Sequence, residues 1–313
     1  MQLLYLSPMK ILQCFVSKCR ITAVLLVFMT ALFVPKAGAA EPLPVVVTLP
    51  VLKDFVAVVG DAHIRVSTLI SGSESEHTYT PKPSDLVRIQ KAKVLFQIGL
   101  DLELWVQPLI ENADRPNLPI ITTSKGVSLI EGGLVDGHGH GAANPHIWLD
   151  PQNVQIMIAE IKKALIAVDP EHRADYEKNA SAYLQKLEKL EAELKRKVAP
   201  LKDKRIITHH PAWPYFAKRF GFEIRSNILT QIGSAPSAKK LGILIRQIKK
   251  EKIRVIVSEP QLNQKIPLIL AEETGAKVVP LSPLTGALPG TDHYLDLMRY
   301  NVEALVNVLE KVQ

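Results

Sequence analysis

Nine histidines are spread through the 313 residues, and six of them stand in three short blocks and one loop where chemistry is possible. SESEHTYTPKPSD (73–85) holds His77, directly preceded by Glu76. NPHIWLDP (144–151) holds His146. RIITHHPAW (205–213) holds His209 and His210. Between the first two blocks, EGGLVDGHGHGAANPH (131–146) carries His138 and His140 among five glycines. Neutral imidazoles converging on one point have metal binding as their common use, and three nitrogen donors with one oxygen suit tetrahedral Zn²⁺. Proline stiffens each presentation: Pro81 and Pro83 after His77, Pro145 before His146, and Pro211 after His210. His63, His172 and His293 stand in polar surroundings and read as surface residues.

Thiolates have no part in this chemistry. Both cysteines, Cys14 and Cys19, precede the apolar run ITAVLLVFMTALFV (21–34), which follows Lys18 and Arg20 and ends in PKAGAA. A basic flank, a short apolar core and small residues at its end make a secretory signal. The run falls short of the roughly 20 residues that a spanning helix needs. Cleavage after Ala39 or Ala40 is expected, leaving an exported chain without cysteine, so a metal must be held by histidine and carboxylate.

The elements that must position the histidines alternate in type. VVVTLP (45–50), IRVSTLI (64–70), KVLFQIG (93–99) and LPIITT (118–123) read as strands of a mostly parallel sheet. SDLVRIQKA (84–92) reads as a helix capped by Ser84 or Asp85. The rhythm restarts with RIIT near 205, IRVIVSEP (253–260) and AKVVPLSP (276–283), with helical patterns over 237–252 and 293–312. Between the halves, 170–198 has no glycine and no internal proline, and Tyr176, Tyr183, Leu187, Leu190 and Leu194 recur at helical spacing. That predicts one helix of about 40 Å and little hinge motion. The expected fold is α/β: two Rossmann-like lobes with mostly parallel sheets, 41–169 and 200–313, joined by a single long rigid helix over 170–199. Residues 1–40 are the signal. His77, His146 and the pair His209–His210 all fall after strands, where open α/β sheets bind ligands.

Composition excludes some partners. Net charge is +7, but Lys10, Lys18, Arg20 and Lys36 lie in the first 40 residues, so the remainder is only about +3, with acids and bases interleaved. No basic face with interleaved aromatics is evident, and nucleic acid is not expected as a partner.

EHTYTPKPSDL, NPHIWLDP, HHPAWPYFAKRFGF, VSEPQ and HYLDLMRYN occur in this order over roughly 43–312. Together they resemble the extracytoplasmic solute-binding proteins of zinc and manganese ABC importers. The resemblance implies two α/β lobes, one metal site in the cleft, a membrane permease as partner and a monomeric carrier that is no enzyme. It makes His77, His146 and His210 the ligands, His210 being the one that precedes the small-aromatic-x-Tyr-Phe pattern at 212–216, with His209 pointing elsewhere. Histidine at that place favours Zn²⁺ over Mn²⁺ or iron(II). Many relatives supply an aspartate before the last helix, where PLSPLTG has Ser282. The fourth donor is therefore expected to be Glu76, as in the zinc-specific branch, or a water. Glu259 and Asp150 are expected to support imidazoles, Asp150 having helix capping as an equal alternative. His138 and His140 could form an auxiliary zinc-capture loop, shorter than the His-rich insertion of zinc-specific relatives. Three histidines and a water would also describe a zinc hydrolase, but no paired general base beyond Glu76 is evident. Because zinc binds neutral imidazole, three bound protons would have to leave, and affinity is expected to fall steeply below about pH 6.5.

Overall fold

The computed structural model describes residues 41–131, 143–229, 233 and 235–312. Residues 1–40, expected to be a signal, and the His138–His140 loop lie outside the described residues. Residues 42–313 form one compact unit. Within it the first half runs β1 (Leu43–Val47), α1 (Pro50–Gly60), β2 (Ile64–Thr68), α2 (Pro83–Lys91), β3 (Val94–Gln97), α3 (Val106–Asn112), β4 (Ile120–Thr122) and α4 (Pro151–Val168). A linking helix, α5 (Arg173–Val198), leads to β5 (Arg205–Thr208), α6 (Pro214–Phe220), β6 (Glu223–Asn227), α7 (Ala238–Glu251), β7 (Val255–Ser258), α8 (Lys265–Thr274), β8 (Lys277–Pro280) and α9 (Tyr294–Val312).

Each half builds a four-stranded sheet, all pairs parallel, in the orders β2-β1-β3-β4 and β6-β5-β7-β8. The two orders are the same topology used twice. In each, the chain steps to one side of its first strand and then returns to the other side. That reversal opens a crevice at the strand ends between β1 and β3, and again between β5 and β7. The strands that read as apolar runs are the buried ones, Val45–Val47 and Val255–Val257 among them. β6 was not expected. It is an edge strand reading EIRSN, with no residue fully buried, so it carries no apolar signature.

The linking helix is 26 residues long and follows a short 3-10 turn at Pro170–His172. Tyr176, Tyr183, Leu187, Leu190 and Leu194 are buried along one stripe. The stripe packs on α1 and α4 of the first lobe and on α9 of the second, so both lobes share one apolar core with the helix inside it. A thinner cluster, Ile207, Ile256, Leu244, Ile248 and Leu270 among its members, lies under α7 and α8 on the other face of the second sheet.

One ion-pair hub fastens the seam. Arg219, in the last turn of α6, forks onto Asp150 at 2.5 and 2.7 Å, reaches Gln152 at 2.6 Å and approaches Glu191 of the linking helix at 3.4 Å. Asp150 also accepts the Gln152 N–H as the N-cap of α4. Its carboxylate reaches no imidazole among the described residues. Of its two expected roles, capping is the one seen among the described residues. Among the described residues no helix is long and apolar enough to cross a membrane.

Candidate metal centre

His210 stands two residues beyond β5, at the second lobe's crevice, and Glu259 stands one residue beyond β7 on the other side of the same crevice. The carboxylate Oε2 lies 2.7 Å from His210 Nδ1, an ion-pair approach with poor hydrogen-bond angle. The other oxygen accepts from Trp213 Nε1 at 3.1 Å and from the His210 backbone N–H at 3.4 Å. Glu259 therefore fixes His210 through both ring and backbone, and its charge favours hydrogen on Nδ1 with the Nε2 lone pair facing the cleft.

His146 arrives from the other lobe, immediately before a 3-10 turn at Ile147–Leu149. Its Nδ1 lies 3.0 Å from Asn144 Oδ1, which also accepts the His146 backbone N–H at 3.0 Å. Asn144 Nδ2 then donates to Pro211 O at 2.6 Å, across the cleft. One amide thus sets the tautomer of His146 and ties it to the residue after His210. Nothing in the sequence marks Asn144 beyond its place before a proline.

Glu76 and His77 come from the loop after β2. Asp85 anchors that loop: it takes Tyr79 Oη at 2.6 Å and the Lys82 N–H at 2.7 Å. Asp85 is the third residue of α2 and reaches back to the residue before the helix. Neither Ser84 nor Asp85 is the cap, because Pro83 already opens the helix. Glu74 adds a bond to Lys82 at 2.6 Å.

Four donors converge. His77 Nε2 and His146 Nε2 are 3.1 Å apart, His210 Nε2 and His146 Nε2 3.3 Å, and His146 Nε2 and Glu76 Oε1 3.3 Å. His77 Nε2 lies 3.9 Å from Glu76 Oε1, and all four donors fall within 4.8 Å of one another. A tetrahedron with metal–nitrogen bonds of about 2.0–2.1 Å has edges of about 3.3–3.4 Å. The donors are spaced for a single small cation. Glu76 Oε1 is buried without a hydrogen-bond partner, which is costly unless a cation meets it.

Charge states agree with that reading. Burial would raise Glu76, but the His146 contact and the three imidazoles outweigh it and hold its carboxyl down at about 2. Burial pushes His77 down to about 3, and burial also lowers His146. Both rings are neutral and ready as donors. His210 differs: burial pulls it down, yet Glu259 and Glu76 more than offset this and its net shift is upward.

The remaining candidates lie outside the cluster. His209 turns away, its Nδ1 accepting the Glu259 N–H at 3.3 Å. Ser282 is fully buried, and its hydroxyl is fully used: it donates to Leu284 O at 2.8 Å and accepts from Gln261 Nε2 at 2.9 Å and Leu284 N at 3.0 Å. Gln261 Nε2 also donates to Gly72 O at 2.8 Å, joining the lobes behind the donor loop. His63 and His172 stack at 3.7 Å, each with its own aspartate, and His293 bonds Asp54.

Two parallel-sheet lobes on a helical spine, with a cation-sized donor cluster in the cleft between them, define a carrier of the metal solute-binding class. The chain belongs to the family described as ZnuA, zinc-uptake complex component A, periplasmic, which matches residues 45–308. That family is an uptake component, not an enzyme family. A high-affinity zinc uptake system protein ZnuA of Brucella suis is 31% identical, over 87% of this chain and 93% of its own. A crystal structure of a ZnuA deletion mutant with zinc bound superposes with a TM-score of 0.74 at 31% identity, covering 87% of this chain and 97% of that one. A mutant, manganese-bound periplasmic metal binding protein from candidatus Liberibacter asiaticus has a TM-score of 0.73 at 27% identity, covering 85% and 98%.

Proposed function

We propose that this chain is a periplasmic zinc-binding protein that captures Zn²⁺ with high affinity and hands it to the membrane permease of an ABC importer. The ion is cargo, held by His77, His146, His210 and Glu76. The observation that carries this reading is the set of nitrogen–nitrogen and nitrogen–oxygen separations of 3.1, 3.3 and 3.3 Å around His146 Nε2, which are those of a tetrahedral site. Six-coordinate Mn²⁺ needs more oxygen donors than this cluster offers, and Ser282 has no lone pair left to give.

All four donors come from one chain, which supports a monomer. The lobes are assigned to 41–169 and 200–313, with 170–199 between them and 1–40 removed on export. Glu259 and Asn144 act by orienting His210 and His146. Metal analysis of the protein purified from the periplasm without added metal tests the reading. About one equivalent of zinc is expected. A preparation carrying mainly manganese or iron, or one in which zinc binding survives loss of any of the three histidines unchanged, overturns it.

A further inference from the structure

The modest charge balance of residues 41–313 conceals a segregation by lobe. Residues 41–169 carry ten lysines and arginines against fifteen acids, whereas residues 200–313 carry seventeen against ten. Lys239, Lys240, Arg246, Lys249, Lys250 and Lys252 supply six of those cations within fourteen residues, and the single acid among them, Glu251, is taken by Arg225 at 2.7 Å. None of the six makes an ion pair with another described residue. All are exposed except Lys240, which is half-buried.

Local stability does not explain all of them. Lys249 and Lys250 complement the negative end of the α7 dipole, but Lys239 and Lys240 occupy the first turn, where a cation is unfavourable and no acid offsets it. Lys239, Ile243, Arg246 and Lys250 follow one another at i, i+4, i+7 and i+11, which places them on one face. Leu244 and Ile248 occupy the opposite face, buried against the sheet. Ile243 is 44% exposed in the middle of the cationic stripe, and Leu268, on α8 packed beside it, is 57% exposed. The remaining acids of this outer layer, Glu272 and Glu273, stand in the last turn of α8.

We infer that the outer face of α7 is a docking surface for an anionic lipid membrane. Five of the six cations are lysine, a hydrated point charge that is depleted from protein–protein interfaces, where arginine and aromatics dominate. Neither α7 nor α8 contains an aromatic residue. Dispersed lysines around a protruding apolar side chain suit a fluid layer of acidic headgroups, with the apolar tips entering the interface. Each cation close to such a surface strengthens association about fivefold. The acidic first lobe is repelled by the same surface, so attachment has a direction. The inference stands on charge and exposure. Its use, keeping a loaded carrier near its importer, rests on the proposed function.

The test is co-sedimentation of the exported protein, purified from the periplasm, with vesicles of phosphatidylglycerol and phosphatidylethanolamine and with vesicles of phosphatidylcholine alone. The anionic vesicles should bind it, the neutral ones should not, and added salt should release it. The quadruple variant K239Q/R246Q/K249Q/K250Q should bind at least about tenfold more weakly, with unchanged melting temperature. Equal binding to both vesicle types, or an undiminished variant, overturns the inference. So does loss of binding only to permease reconstituted in neutral lipid, which would give the face to a protein partner. Zinc affinity is measured on the same variant and should not move, so failure here and failure of the zinc reading are told apart.

Discussion

The two lobes repeat one strand order, and each places a buried glutamate at its crevice, yet only one of these glutamates serves the donor cluster. In the second lobe Glu259 faces His210 at 2.7 Å. In the first, Glu103 takes Thr48 Oγ1 at 2.7 Å, the Ile98 N–H at 2.8 Å and the Gly99 N–H at 2.9 Å, and among the described residues no imidazole. Burial pushes the Glu103 carboxyl up to about 7 in spite of these bonds. The backbone beside it turns through the left-handed region at Gly99, Leu100 and Asp101, with φ of 83°, 57° and 61°. Glu103 holds that turn. The first lobe's donors come instead from loops beyond its outer strands, β2 and β4. The same crevice is thus a ligand holder in one lobe and a backbone clamp in the other, so position at a strand end does not by itself reveal which.

The donors also differ in how firmly they are held. His210 and His146 are buried, and each has its Nδ1 beside an oriented oxygen. The His77 side chain is 19% exposed, and among the described residues its Nδ1 has no partner. The largest effects should follow that order. His146→Ala and His210→Ala should each weaken zinc binding by roughly a hundredfold or more, His77→Ala by more than about tenfold, and His209→Ala hardly at all. Chelator competition measures all four. A damaging His209→Ala beside a neutral His210→Ala would reverse the assignment within the pair.

The glutamates give the next contrast. Glu259→Gln should lower zinc affinity by about 10–100-fold with a small change in melting temperature, as loss of an orienting carboxylate does. Glu103→Ala should do the opposite, leaving zinc affinity within about threefold while removing about 1–3 kcal/mol of stability through two unpaired backbone N–H groups. Equal effects of the two changes on zinc would erase the distinction between the lobes.

Proton counting places a finer difference. Three protons were expected to leave on binding. However, His77 and His146 are already deprotonated in the folded chain, and Glu76, at about 2, is ionised throughout. Of the three imidazoles His210 alone is shifted upward, by Glu259 and Glu76, so it keeps its proton to the highest pH. Zinc must displace it, so affinity falls as pH drops through the His210 pKa with a slope near one proton, not three. The sign for stability follows from the same shifts. The charge on His210 favours the metal-free fold below about 6.5, and this contribution is lost as pH rises through its raised pKa. For His77 and His146 the folded pKa is lowered, so the unfolded chain binds their protons first and stability falls as pH drops below about 6.5. Calorimetric titration in buffers of different ionisation enthalpy counts the released protons. Three per zinc near pH 6 would contradict the neutral first-lobe pair.

Much of this was legible in the residues. The apolar strands, the stripe of the linking helix and the three clustered histidines all carry a local signature: a buried run, a helical period, or a histidine beside proline after a strand. What stayed hidden depends on partners far along the chain. Asn144 meets Pro211, Gln261 meets Gly72 and Arg219 meets Asp150 across 67, 189 and 69 residues, and no local pattern encodes those pairings. The edge strand β6 was missed because solvent on its open side removes the apolar run. The cationic face of α7 was missed because a net charge averages over two lobes of opposite sign.

The smallest effects on zinc should come from changes around the fourth position, where Glu76 and water are the alternatives and Ser282 is already fully hydrogen-bonded. Glu76→Gln keeps one carbonyl oxygen but removes the charge, so zinc affinity should fall modestly, by about tenfold if the carboxylate binds and hardly at all if water does. Ser282→Asp should change zinc affinity less than about threefold, because three histidines still define the tetrahedron, but it should raise manganese affinity relative to zinc by adding a hard oxygen donor. The new carboxylate must first break the bonds Ser282 makes to Leu284 and Gln261, so a lower melting temperature should accompany the gain. Competition of Zn²⁺ against Mn²⁺ on both variants separates the cases. If Ser282→Asp stabilises the protein and leaves the metal ratio untouched, position 282 lies beyond reach of the ion, and the fourth donor belongs wholly to the first lobe.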